Sequence, residues 1–213
     1  MHKSISNLIS IKSEVEKINK HINIIAVSKT FKIDKIYPLL DYGHIHFGEN
    51  KVQEALDKWE LIKKEYKNIK LHMIGKLQTN KVKFAVRIFD YIHSVDSEKL
   101  AKKISDEQNK INKKVKIFIQ VNIANEKQKS GVDKDNLKQL VSYCKKIDLD
   151  LVGLMCIPSV DIDPENYFKE MSQLNKSLGL TELSMGMSSD YVKAVKCFAT
   201  FIRVGSSIFG QRN

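Results

Sequence analysis

Lys29 ends a short apolar run, IIAVS, in a chain of 213 residues. A lysine carried to the end of a buried strand loses hydration. That disfavours the ammonium form and frees the amine to attack a carbonyl and form a Schiff base. The same position also suits a lysine that reaches past the strand end into solvent, and the residue alone does not decide between the two. The C-terminal third carries a second signal, MGMSSDY (185–191) and IRVGSSIFG (202–210). Gly186 and Gly205 let a backbone come close to an anion, while Ser188, Ser206 and Ser207 can donate to phosphate oxygens or cap helices. Arg203 stands in the second segment, within an apolar run. Two such loops in adjacent units predict a phosphate site.

Eight short apolar or alternating runs read as strands: 24–29, 44–49, 71–75, 91–96, 116–123, 151–157, 182–187 and 201–205. Charged stretches of helical period separate them, as in KVQEALDKWELIKKEY and DNLKQLVSYCKKI. An amphipathic helix is predicted within the first 23 residues, from the near-helical spacing of Ile5, Leu8, Ile9, Lys12, Val15 and Ile18. Strand and helix in strict alternation mean parallel strands joined by right-handed crossovers. Eight units without a long excursion, and no Gly-rich dinucleotide fingerprint after the first strand, favour a closed (β/α)8 TIM-type barrel over an open sheet. With three Pro and nine Gly there is no visible linker, so residues 1–213 read as a single domain with an extra N-terminal helix. In such a barrel the chemistry belongs at the C-terminal ends of the strands, and phosphate after strands seven and eight. Lys29 and both serine loops fall at those ends.

Composition limits the alternatives. The net charge is +11, yet of 36 Lys and Arg residues only Arg87, Arg203 and Arg212 are arginine. Lysine forks onto phosphate and guanine less well than arginine, so the charge reads as solvated helix surface and no nucleic acid partner is expected. Cys144, Cys156 and Cys197 are widely spaced with no CxxC, which argues against a disulfide framework or a zinc site and for reduced thiols. The N-terminus breaks its apolar residues with Lys12, Glu14, Glu16 and Lys17, unlike a signal peptide, and no run approaches the roughly 18 apolar residues of a membrane span. A cytoplasmic protein with no membrane partner is expected. Trp59 lies on a charged helix and gives no sign of an obligate interface, so a monomer is expected.

Eight colinear blocks carry a family resemblance: AVSK (26–29), FGENKVQEAL (47–56), HMIGKLQTNK (72–81), HSVDS (93–97), QVNIANEKQKSG (120–131), GLMCIP (153–158), LSMGMSSDY (183–191) and RVGSSIFGQR (203–212). In order and content they resemble the pyridoxal phosphate homeostasis proteins, small barrels similar to the N-terminal domain of alanine racemase. The resemblance implies that Lys29 forms a covalent aldimine with pyridoxal 5'-phosphate (PLP), and that Ser188, Gly205 and Ser206 hold its phosphate. It implies that Arg203 faces the pyridine nitrogen, as the matching arginine does in the racemase domain. A guanidinium there keeps that nitrogen unprotonated and weakens the ring as an electron sink. Asn50, His72 and Met187 read as pocket lining by position, although His72 also reads as an ordinary strand histidine. Lys129 is a candidate for an additional anion contact. Phe31 stands where the family often has a basic residue, with Lys32 beside it. Asp190 reads as an N-cap and not as a catalytic carboxylate.

The resemblance also implies a function, narrowed by comparison with alanine racemase. Racemisation needs acid–base groups on both faces of the substrate carbon, and alanine racemase takes one from a second β-rich domain for which this chain has no room. The first expectation is therefore a protein that holds PLP as a Schiff base and takes part in intracellular vitamin B6 homeostasis, handing PLP to apo-enzymes without robust catalysis. The alternatives are a PLP-dependent amino-acid racemase or a Schiff-base lyase, and a Lys-rich nucleic-acid-binding barrel. A lyase would need an acid or base aimed at the lysine, and neither Glu49 nor Asp96 can be given that role from sequence.

Overall fold

A computed structural model describes residues 1–126, 128–159 and 162–211. Helix α1 (Lys3–Glu16) precedes strand β1 (Asn23–Val27), and then helix and strand alternate: α2 (Tyr37–Asp41), β2 (His46–Glu49), α3 (Val52–Glu65), β3 (Lys70–Met73), α4 (Val82–Ile88) and β4 (Tyr91–Val95). The second half follows with α5 (Glu98–Lys110), β5 (Lys116–Val121), α6 (Lys134–Lys146), β6 (Asp150–Cys156), α7 (Glu165–Ser177), β7 (Glu182–Ser184), α8 (Tyr191–Lys196), β8 (Phe201–Val204) and α9 (Ser206–Phe209). All neighbouring strands are parallel, and the sheet closes where Asn23 to Ala26 of β1 pair with Phe201 to Val204 of β8. The expected (β/α)8 barrel with a leading helix is what the chain forms.

Two apolar cores follow from the period-2 alternation of strands. On β1, Ile24 and Ala26 point outward into the large core shared with the helices, while Ile25 points inward to meet Phe118, Met155 and Phe201. The next inward positions along β1 and β8 lie nearer the C-terminal mouth, and they are Val27, Lys29 and Arg203. The helices cover the outer face with stripes of matching period: Val52, Ala55, Trp59 and Ile62 on α3, and Leu137, Leu140, Val141 and Cys144 on α6. Helix α1 buries Leu8, Ile11 and Val15 and packs against α9, α2 and α8, with Asn7 donating to the Ile208 carbonyl at 3.0 Å. It thereby spans the seam between the first and last units. Among the described residues no helix is long and apolar enough to cross a membrane. Most strands end one to three residues before their sequence runs do, and the trailing residues, among them Lys29, Ile74, Ile157 and Met187, leave the ladder and form the mouth.

Candidate functional site

The C-terminal mouth holds a cavity of about 380 Å³. Val27 and Lys29 line it from the first unit, Asn50 and Ile74 from the second and third, and Ile157 from the sixth. Met187, Ser188 and Ser189 come from the loop after β7, and Arg203, Gly205 and Ser206 from β8 and its loop. Seven of the eight residues expected from sequence thus converge from four separate loops and strands. Lys29 and Arg203 are the charged side chains in this lining, and no carboxylate is among the described lining residues. Arg203 is itself only 4% exposed, and no carboxylate pairs with it among the described residues. Burial pulls its guanidinium below its ordinary range. A buried cation without a counterion is costly, so this floor favours an anion or another strong acceptor.

The serine loops are shaped for that. The Gly205 N–H donates to Ser188 Oγ at 3.3 Å, so the loops after β7 and β8 meet at two groups able to turn toward one ligand. Gly205 has φ −115°, and a Cβ built there would meet nothing closer than 3.4 Å. The polypeptide itself does not demand glycine at this point, whereas a ligand drawn up to the backbone would. Gly186 is different: with φ +91° and a Cβ position 2.6 Å from Ala194 Cβ, it is required so that α8 can dock under the loop. Asp190 occupies the N-cap position of α8, but its carboxylate turns back to accept from Met187 N–H at 2.6 Å instead of capping the helix. That bond fixes the loop on which Met187 and Ser188 stand.

Lys29 is half-buried at the end of β1, and its neighbours on the chain are clamped from α3. Ser28 Oγ donates to Glu49 Oε1 at 2.7 Å, and Lys58 Nζ bridges the Ser28 carbonyl, Glu49 and Glu54. Trp59 Nε1 donates to the same Glu49 oxygen at 2.9 Å, so Trp59 is a fully buried part of this clamp. Burial pushes the Glu49 carboxyl above its usual range despite Lys58. Glu49 therefore serves the strand end from behind and does not line the cavity. Thr30 sits at φ +67°, a strained conformation for a β-branched residue, with its N–H held by Glu54. Phe31 packs on Phe209 of α9 with ring centroids 5.0 Å apart, tying the Lys29 loop to the Gly205 loop.

His72 is the expected lining residue that the geometry places elsewhere. Its side chain is fully buried inside the barrel, beneath the cavity floor, where Nε2 meets His46 Nδ1 and Nδ1 meets His93 Nε2, each at 2.9 Å. His93 Nδ1 lies 2.9 Å from Ser184 Oγ, which accepts from Arg203 Nη1 at 2.8 Å. Arg203 Nη2 donates to the Cys156 carbonyl at 2.9 Å. His46, His93 and Ser184 were not singled out from sequence, since each by itself is an unremarked strand residue. Lys129 lines an adjoining cavity that shares Asn50, Ile74 and Ile157 with the first, and its ammonium contacts Glu126 and the Pro158 carbonyl. Asp96 faces a separate cavity near α5 and α6. No described group of His, Cys, Asp and Glu has metal-holding geometry.

Comparison with known proteins matches residues 6–213 to the family described as alanine racemase, N-terminal domain. The pyridoxal phosphate homeostasis protein of Haemophilus influenzae is 34% identical over 203 residues, taking in 90% of this chain and 86% of that one. Among solved structures, PipY of Synechococcus elongatus PCC7942 with PLP bound superposes with a TM-score of 0.89 at 33% identity, over 97% of this chain and 100% of that one. Alanine racemase of Clostridium difficile shares the fold, with a TM-score of 0.74 at 14% identity, over 99% of this chain and 57% of its own. The chain belongs to the pyridoxal phosphate homeostasis protein family, with the barrel fold of the alanine racemase N-terminal domain.

Proposed function

We propose that the cavity binds PLP, with Lys29 as the amine that condenses with its aldehyde, and that the protein holds and hands on PLP in the cytosol without a turnover reaction of its own. The observation that carries this reading is the cavity lined by a lysine and a buried arginine that pairs with no carboxylate among the described residues, with two serine loops meeting at Gly205 N–H and Ser188. Its volume of about 380 Å³ lies within the range of small-ligand sites. The PLP bound to PipY and the name of the Haemophilus relative support it further. When bound, PLP supplies an aldehyde that reacts reversibly with amines and a ring that withdraws electrons. In this reading Ser188, Gly205 and Ser206 bind the phosphate, Arg203 faces the ring nitrogen, and Asn50 and Met187 flank the ring. Lys29 is the lining group able to move a proton, and catalysis on both faces of a substrate would need a second.

The test is spectroscopic. Protein incubated with PLP and dialysed should show a visible absorbance band, and borohydride should fix the label on Lys29 by peptide mapping. A protein that stays colourless, or a label on another lysine, would overturn the reading. Turnover of alanine or another amino acid above about 1 per second would make it an enzyme.

A further inference from the structure

Arginine has donors only, so the contact between Arg203 Nη1 and Ser184 Oγ has one possible direction. Ser184 Oγ accepts there, and its single hydrogen is left for His93 Nδ1 at 2.9 Å. A neutral imidazole that accepts on Nδ1 carries its proton on Nε2, which then donates to His72 Nδ1. His72 in turn donates from Nε2 to His46 Nδ1. The reversed chain, with every proton on Nδ1, leaves the Ser184 hydroxyl hydrogen without an acceptor among the described residues, and a mixed chain sets two lone pairs or two N–H groups face to face. Burial holds His72 and His93 well below the usual imidazole range, with Arg203 adding repulsion at His93. The rings are held in place as well. His93 stacks on Phe118 and His72 on Tyr91, both with centroids 4.3 Å apart.

We propose that His46, His72, His93 and Ser184 form one hydrogen-bonded wire across the barrel, that Arg203 sets its direction so that all three imidazoles are protonated on Nε2, and that His93, through Ser184, is a positioning residue for Arg203. The wire starts at the half-buried His46, the first residue of β2, and ends at the guanidinium on the cavity floor. Ser184 and the Cys156 carbonyl hold Nη1 and Nη2 from two sides, which fixes the plane the guanidinium presents to the cavity. Aligned hydrogen bonds in a low-dielectric interior reinforce one another, so the acceptor strength of Ser184 depends on the histidines behind it. The bearing of this wire on PLP rests on the function proposed above, whereas its direction does not.

Nitrogen-15 NMR of the parent protein, without added PLP and near neutral pH, reads the tautomers directly. All three histidines should show a protonated Nε2 and an accepting Nδ1; any one protonated on Nδ1, or on both nitrogens, overturns the wire. Arg203→Met removes the obligatory donor and should bring mixed tautomers at His93 and His72. Unchanged spectra there would show that Arg203 does not set the direction. With PLP added, Ser184→Ala should shift the visible maximum and weaken retention at least about tenfold, the scale of one hydrogen bond to a charged group, and Ser184→Thr should restore both. Retention equal to the parent refutes the positioning role. A parent that develops no band with PLP defeats the proposed cofactor, while its tautomers still decide the wire without any variant having to fold.

Discussion

At the cavity, Lys29, Arg203 and Ser188 have separable jobs, and substitution should separate them. Lys29 is half-buried at a strand end and contributes little to the core, so Lys29→Ala should abolish the visible band while changing stability by no more than about 0.5 kcal/mol. Ser188→Ala should still form the band but lose PLP faster in dialysis, since it removes one ligand to the phosphate and not the nucleophile. Retention as tight as the parent would refute the phosphate assignment. The residues legible in the sequence are those whose chemistry is visible at a strand end: Lys29, Asn50, Met187, Ser188, Arg203, Gly205 and Ser206 all line the cavity. His72 was legible as inward-facing but not as to depth, because strand alternation gives the side of a residue and not its layer along the barrel axis. Ser184 and His93 lie 91 positions apart and become partners only when the barrel closes.

Among elements, the short helix α8 and the loop before it matter most. Gly186 lets α8 approach within contact of β8 and orients the Met187–Ser188 turn that Asp190 locks. Gly186→Ala would set a side chain against Ala194 at a positive φ and should destabilise by about 2 kcal/mol through strain and overpacking. A urea midpoint unchanged from the parent would contradict that. Helix α3 holds the end of β1 directly through Lys58 and, by way of Glu49 of β2, through Trp59. Sequence reading places Trp59 on a charged helix without giving its face, and the structure puts it on the buried stripe with Val52, Ala55 and Ile62. The spacing supports that stripe once the helix start is known, but high charge on the other positions conceals it. The strands were identified in number and order, and each was read slightly too long, because loop residues at the mouth are as apolar as strand residues: Ile74 and Ile157 line the cavity beyond the ends of β3 and β6.

For the molecule as a whole, buried histidines set the response to acid. An unfolded imidazole titrates near 6.5, whereas burial lowers His44 and His46 to about 4 and His72 and His93 well below their usual range. Between those values the unfolded chain binds more protons than the folded one, so stability falls as pH drops from about 6.5 toward 4. Glu49 opposes this, since a raised carboxyl favours the folded chain at low pH, but four imidazoles outweigh one carboxyl. The thermal midpoint should therefore decrease between about pH 7.5 and about pH 5, and a level or rising midpoint would refute it. The net charge of +11 acts less specifically. Some of its lysines form exposed i,i+4 ion pairs on helix surfaces, as Lys12 with Glu16 and Lys102 with Asp106, and such pairs contribute little. Alternation of apolar period and the order of eight motif blocks determined the barrel and the mouth residues, because strand direction and strand-end chemistry are local properties of a chain. Only the closed tertiary structure decided that Arg203 is buried without a carboxylate among the described residues, that Glu49 supports the lysine loop from behind, and that three distant histidines share one line of hydrogen bonds. The arginine and histidine contacts depend on inward-facing positions from β2, β3, β4, β7 and β8 meeting at the barrel axis, and no local pattern encodes the height at which they meet.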